Sequence, residues 1–339
     1  MADNQAAWLD GAGKKLRIDS AEMPKAGSDE IVVKNSAVAI NPVDWKIQDT
    51  GYFIKEWPAV LGCDVAGEVV EVGRDVQRFK KGDRVAGHTI SLLSQSPHDG
   101  GFQLYSRVKA GKAAVLPKSI TYAAGSVLPL ALDTTAVGLY SDGDKGLGLP
   151  PPSLDPKPSG KVLVLWGGSS SVGALVTQLA VASGVKVITT ASTHNFGFCK
   201  DAGASAVFDY KSPSVVDDVV AAVKSTGADF AGLYDAISLP DDSYKYTLPI
   251  VEKLGGGVLS IVLPPPENAP KGVKPASVFG VNDLTHKIWE DYVTPALEAG
   301  KLRCLPPPQV VGKGLEAVQA GLDANKTGVS AKKVVIELD

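Results

Sequence analysis

The most constraining stretch of this chain is a continuous apolar run, KVLVLW at 161–166, that ends in GGSSSVG at 167–173. It opens into a helix-forming sequence, ALVTQLAVASG, and a second apolar run, VKVITTA, follows at 185–191. Strand, glycine turn, helix and strand at this spacing make a β-α-β unit, whose parallel strands connect right-handedly. The alternation continues through FCKDAG, AVFDY, VVDDVVAAVKSTG, FAGLYDAI and GGGVLSIVL. The α/β pattern predicts a doubly wound parallel sheet with helices on both faces, over roughly 126–280.

The residues before it read differently. IVVKNSAVAI at 31–40, AGEVVEVG at 66–73, DRVAGH at 83–88 and FQLYSRV at 102–108 are short β-rich stretches separated by glycine turns. They predict an irregular, mostly antiparallel β domain over 1–125. At 339 residues the chain exceeds one ordinary domain, so two domains sharing a cleft are expected. The Pro/Gly-dense segment 141–160 reads as a surface loop. Beyond 280, LTHKIWEDYVTPALEAGKL and GLEAVQAGLDANKTG read as helices and KKVVIEL as a last strand. The 281–339 stretch is thus expected to return to the first domain's sheet.

Gly168, Ser169, Ser170, Ser171, Val172 and Gly173 stand where a strand ends and a helix opens. Unpaired backbone N–H groups and the positive helix end attract a pyrophosphate there, which makes the sequence a cofactor-binding loop. Against the G-x-G-x-x-G fingerprint the middle glycine is Ser170, which lifts the phosphate slightly over the turn. The alternative is a tight turn without a ligand. NAD-specific sites place Asp or Glu about 20 residues further on. Here the second strand ends Thr189-Thr190-Ala191-Ser192, without a carboxylate. A 2′-phosphate meets no repulsion at that end, and Ser192, His194, Asn195 and Lys200 offer donors nearby. The expected cofactor is therefore NADPH rather than NADH, although His194 and Lys200 also read as solvated surface.

Composition narrows the partners. The net charge of -3, with no long Lys/Arg run, lacks the basic stripe that nucleic acid requires. No apolar segment approaches transmembrane length and MADNQAAWLD is no signal peptide, so a cytoplasmic protein without membrane partners is expected. Three dispersed cysteines, Cys63, Cys199 and Cys304, fit neither a disulfide framework nor a four-cysteine zinc lobe.

Taken in order, AINPVDWK (39–46), LGCDVAGEVVEVG (61–73), GDRV (82–85), GGFQLYSRV (100–108), LPLALDTTAVGL (128–139), LWGGSSSVG (165–173) and GVSAKKVVIEL resemble one family. It is the medium-chain dehydrogenase/reductase superfamily, in its zinc-free quinone oxidoreductase and enoyl reductase branch. The likeness spans almost the whole chain. It implies a Rossmann-type domain plus a GroES-like, mostly β catalytic domain formed from both chain ends. ITTASTHNF (188–196) and VFDY (207–210) look most like fungal trans-acting enoyl reductases of polyketide biosynthesis, in which Ser192 and Tyr210 would contact the adenosine phosphate. Tyr210 also reads as a half-buried ring at a strand end.

Zinc-dependent members need three protein ligands and an open position. Here Asn41 stands in the region of the first cysteine and Cys63-Asp64 replaces the His-Glu pair, so no metal is expected. His88 and His98 read as surface residues and Cys63 as a small packed side chain. The branch reduces double bonds conjugated to a carbonyl: hydride reaches the β-carbon, charge collects on the carbonyl oxygen, and a proton reaches the α-carbon. The resemblance makes Lys46 the first catalytic candidate. Asn41 and Tyr52 follow for orienting carbonyl or cofactor, Thr134 resembles the hydroxyl that faces the nicotinamide carboxamide in the family, and Asp44 reads as a structural turn acceptor. Expected substrates are a carrier-bound enoyl thioester, with a polyketide synthase acyl carrier as partner, or a free enone or quinone. A catalytically silent NADPH-binding interaction protein is the third reading.

Overall fold

The computed structural model describes residues 3–338, and the chain divides into two compact units. The first comprises residues 1–130, 289–298 and 303–339; the second comprises 131–288 and 299–302.

Among the described residues ten strands build the first unit, eight of them ahead of the second unit in the chain. In chain order they are β1 (Asn4–Leu9), β2 (Arg17–Ala21), β3 (Glu30–Ala39), β4 (Ala59–Val60), β5 (Asp64–Val72), β6 (Arg84–His88), β7 (Tyr105–Lys109) and β8 (Ala113–Val115). The N-terminal β1 and β2 fall outside the stretches that read as strands in the sequence. The other six strands of the chain are β9 (Lys161–Trp166), β10 (Lys186–Ala191), β11 (Ala206–Asp209), β12 (Asp229–Asp235), β13 (Gly257–Ile261) and β14 (Val273–Ser277), all in the second unit. The first unit then resumes with β15 (Pro308–Lys313) and β16 (Lys333–Glu337).

In the first unit a small sheet runs β2-β1-β4, and a larger one runs β15-β16-β3-β5-β6-β8, with β7 also on β3. Most of this pairing is antiparallel, as the short turns between strands allow. The last strand joins the N-terminal sheet directly, Val335 opposite Ala39 and Ile336 opposite Val38. Leu9, Ile31, Ile40, Ile47, Leu61 and Phe102 fill the interior, each burial contributing roughly 1.5–3 kcal/mol.

The second unit is a parallel sheet of order β11-β10-β9-β12-β13-β14. Its two halves wind outward in opposite directions from β9 and β12, which makes their C-terminal ends the topological switch point. β9 is buried from Val162 to Trp166 because both faces of such a sheet are covered, which is why its sequence reads as an unbroken apolar run. The proline-rich 141–160 segment is irregular, yet Leu147 and Leu149 are buried and anchor it.

Candidate active site

In the second unit, β9 ends at Trp166 and the chain turns through Gly167 at φ +87°, a left-handed conformation that favours glycine. Gly167 and Gly168 donate backbone N–H groups to Thr190, to Oγ1 at 3.2 Å and to the carbonyl at 2.9 Å respectively. These bonds tie the turn to β10. The helix Ser171–Ala182 follows, and Ser170 is its N-cap: Oγ accepts Gly173 N–H at 3.0 Å and donates to Gly167 O at 2.8 Å. A capping hydroxyl thus occupies the place of the middle glycine. The loop is also drawn in tightly. A Cβ on Gly173 would lie 2.2 Å from the Gly167 oxygen, and one on Gly168 would lie 2.3 Å from Thr189 Oγ1. Gly167 and Thr189 escape a reading from the six-residue motif alone; the doubled glycine before it is the signal that points to them.

Two of the four donors named from sequence, Asn195 and Ser192, are engaged in pairs. Asn195, buried, donates from Nδ2 to Ser169 Oγ at 3.3 Å, bridging the loop to the segment after β10. Ser192 Oγ donates to the Tyr210 hydroxyl at 3.3 Å, joining the end of β10 to the residue after β11. The end of β10 carries no carboxylate of its own, Ala191 preceding Ser192, while Asp209 of β11 lies opposite Ala191. His194 is exposed, and Lys200 lies exposed in the last turn of the Phe196–Asp201 helix. Lys211, which sequence reasoning passed over, places its ammonium 5.8 Å from the Tyr210 ring centre. Val172 accepts the Thr135 hydroxyl at 3.3 Å, which secures the helix Pro129–Tyr140 against the loop. Thr134 lies in that helix; its carbonyl accepts the Tyr234 hydroxyl at 2.9 Å, and its Oγ1 lies 3.3 Å from where a Cβ on Gly280 would stand. A glycine turn too tightly drawn to admit a Cβ and a helix N-terminus behind it together fit the pyrophosphate of a nicotinamide dinucleotide.

The first unit holds the other candidates on and around the helix Pro42–Thr50. Pro42 begins it, Gly51 ends it at φ +72°, and Asn41 is its N-cap. Asp44 accepts the Asn41 backbone N–H at 2.7 Å, which fits the turn-acceptor role read from sequence. Its carboxyl is buried and pushed up to about 7, chiefly by loss of solvent and secondarily by the neighbouring Asp64, against the pull of Lys333 and of backbone N–H groups. Lys46 is half-buried, and burial lowers its pKa. Its ammonium lies 5.6 Å from the Trp45 ring centre, and Lys326 approaches the same ring to 5.6 Å while pairing with Asp49 at 2.8 Å. Tyr52 is 68% exposed with its ring 4.2 Å from that of Phe53, whose φ of +73° is rare for an aromatic residue.

Asn41 differs from the picture of a group free to orient a substrate carbonyl. Both ends of its amide are engaged inside the fold: Nδ2 donates to Asp64 Oδ2 at 2.8 Å and Oδ1 accepts from the Lys333 ammonium. Lys333 in turn pairs with Asp64 at 3.0 Å, and all three side chains are buried. Asp64 Oδ1 accepts the Leu130 backbone N–H at 2.6 Å. The lysine that opens the final strand was legible only as part of a basic pair, because its partners are more than 260 residues away in sequence, counting from Asp64 at 64 to Lys333 at 333.

The cysteine beside Asp64 is packed and inert: burial, reinforced by Asp44 and Asp64, raises the Cys63 thiol well above its usual range. His88 corrects the expectation of a surface imidazole, since it closes β6 opposite Asp64 and is buried. The sheet register decides its position, and the turn-rich sequence after it obscures that register. His98 lies 3.7 Å from Glu22. Among the described residues, no group of three or more His, Cys, Asp or Glu side chains is arranged to hold a metal ion. Nor is any described helix long and apolar enough to cross a membrane.

Comparison with known proteins places this geometry. Residues 27–118 match the alcohol dehydrogenase GroES-like domain. The chain is 53% identical to dehydrogenase orsE of Emericella nidulans, with 100% of both chains covered. It is 42% identical to trans-enoyl reductase himH of Aspergillus japonicus, covering 99% of this chain and 97% of that one. Among solved structures, the mycobacterial protein Rv1454c complexed with NADPH shares the fold, with a TM-score of 0.71 at 21% identity over 98% of this chain and 99% of that one.

Proposed function

The chain belongs to the medium-chain dehydrogenase/reductase superfamily, in its zinc-free quinone oxidoreductase and enoyl reductase branch, and we propose that this oxidoreductase uses NADPH to reduce a carbon–carbon double bond conjugated to a carbonyl, with an enoyl thioester presented in trans as its substrate. Lys46 carries the reading: a half-buried ammonium whose pKa burial lowers can both stabilise developing negative charge and surrender a proton. Support comes from the relative named a trans-enoyl reductase, which matches almost end to end.

Gly168, Ser169, Ser170, Ser171, Val172 and Gly173 form the pyrophosphate loop: the N–H groups of Ser169, Ser171 and Val172 face the anion at the helix start, while Gly168, Ser170 and Gly173 spend theirs holding the turn in shape. Ser192 and Tyr210 take the 2′-phosphate, with His194, Asn195 and Lys200 on the segment that follows β10. Bound NADPH supplies the hydride. Thr134 orients the carboxamide of the cofactor, Tyr52 orients the substrate carbonyl, and Asn41 serves as the cap of the Lys46 helix. Lys46 steadies negative charge on the carbonyl oxygen and delivers the proton to the α-carbon. An acyl carrier of a polyketide synthase is the partner that presents such a thioester.

The test is a substrate panel followed by NADPH oxidation: a crotonyl thioester, a simple enone and a quinone. Turnover of the thioester is expected to exceed that of the quinone. A preference for the quinone would reassign the substrate, and cofactor binding without turnover of any of the three would leave a binding protein. Lys46→Ala is expected to lower kcat about 10²-fold with NADPH binding retained; unchanged turnover removes Lys46 from the chemistry.

A further inference from the structure

The two oxygens of Asp64 go to different places. Oδ1 accepts the N–H of Leu130, in the first turn of the Pro129–Tyr140 helix. Oδ2 accepts Nδ2 of Asn41, the N-cap of the Pro42–Thr50 helix. Lys333 neutralises the carboxylate at 3.0 Å and also donates to Asn41 Oδ1, so the cap is held from both ends of its amide. Asp64 is fully buried and solvent cannot substitute for any of these partners. In an α-helix the direction of each side chain is fixed by the turn before it. Lys46 lies five residues beyond Asn41 and Thr134 four beyond Leu130, about one turn in each case.

We propose that Asp64, with Lys333 as its counter-ion, is a positioning residue that sets the register of both helices carrying the reacting machinery, the Lys46 helix through its cap and the Thr134 helix through its first turn. The inference rests on the roles given above to Lys46 and Thr134. A carboxylate suits the task because it accepts in two directions at once without offering a donor. Misplacing a catalytic group by 1 Å can cost about 10²-fold in rate, so a shared anchor has leverage on both groups together.

Asp64→Val with Lys333→Met removes both charges together and both tethers, while leaving apolar side chains in the space. Asp64→Asn with Lys333→Met is equally neutral, but its amide oxygen can still accept from Leu130, and its NH2 can donate to Asn41 Oδ1 once the Asn41 amide, released by Lys333, turns over. The first pair is expected to lower kcat about 10²-fold with KM for NADPH near that of the parent, and the second to recover most of the loss. Amide hydrogen exchange gives a readout that needs no substrate: residues 44–50 and 133–138 should both exchange faster in the first pair and return together in the second. If the parent protein reduces nothing in the panel, the proposed activity fails while exchange still judges the tether. Unchanged kcat in a folded Val/Met variant, or faster exchange confined to one helix, would overturn the proposal. Should that variant not fold, Leu130→Pro removes the tethering N–H within the first turn of the helix, with Leu130→Ala as the control for the lost side chain. Faster exchange over 133–138 and a lower kcat are then expected, and parental values of both would again sink it.

Discussion

The two units prepare for charge in opposite ways. The parallel-sheet unit does so with backbone: Gly167, Gly168 and Gly173 let the turn pack closely, a serine caps a helix, and the sequence from the loop to the end of β10 carries no carboxylate. The mostly antiparallel unit does so with buried side chains: Asp44, Asp64 and Lys333 sit together in the interior around one amide. The backbone version is intolerant of added atoms, because nothing nearby can move cheaply. The side-chain version is intolerant of unmatched charge, because a buried ion without its partner keeps its desolvation cost and loses the compensating attraction.

The contrast can be broken most forcefully at Lys333. Lys333→Met alone strands Asp64 without its cation and is expected to cost up to about 5 kcal/mol, read as a shift in the urea unfolding midpoint. Replacing Asp64 as well should restore much of it, which no single-residue packing effect would do. The next test uses pH. With its carboxyl raised to about 7, the folded chain keeps the Asp44 proton in the range where the unfolded chain has lost it. This contribution is fullest below pH 4 and disappears as pH rises through 7, on the order of 4 kcal/mol across that window. Asp44→Asn retains an acceptor for the Asn41 N–H and should flatten the decline between pH 5 and 8, as denaturation at the two pH values would reveal. An unaltered slope would assign the titration elsewhere.

In the other unit, Gly173→Ala should weaken NADPH binding by about 1–3 kcal/mol through the clash with the Gly167 oxygen, as calorimetry would measure. Equal loss from a mutation of the distant Lys333 would erase the distinction drawn between the units. The smallest effect is expected from Tyr210→Phe, which deletes one hydroxyl of the Ser192–Tyr210 pair. It should reduce the preference for NADPH over NADH by about 1 kcal/mol, with NADH affinity nearly unchanged.

The same contrast explains what could be read before the structure. Strands β9 and β10 and the helix that carries Gly173 were legible because they are local: a glycine turn between apolar runs carries its meaning within 30 residues. The return of Lys333–Glu337 to the first sheet was legible as a strand, but the partner of its leading lysine was not. Nothing in NPVDWK tells that Asn41 spends its amide on Asp64 and Lys333. His88 was misjudged for a similar reason, since its burial follows from cross-strand register and not from its neighbours in sequence. β2 was missed because it has no buried residue to create a pattern, and β1 because its buried positions, Asn4, Ala6, Ala7 and Leu9, are polar or small or break the alternation. Long-range pairing of polar groups leaves almost no periodic trace.

The strand carrying Lys333 also sets a schedule for biosynthesis. A growing polypeptide emerges at about 5–20 residues per second, so Asp64 is out of the ribosome for roughly 10–60 seconds before its cation follows. The whole of the parallel sheet, β9 to β14, is made in that interval and needs nothing from beyond it for its strand pairing. The N-terminal half must wait with an anion it cannot yet shelter, keeping its interior open to water until the final strand slots beside β3. Nascent-chain pulse proteolysis should therefore find the middle of this protein resistant first and its beginning resistant last.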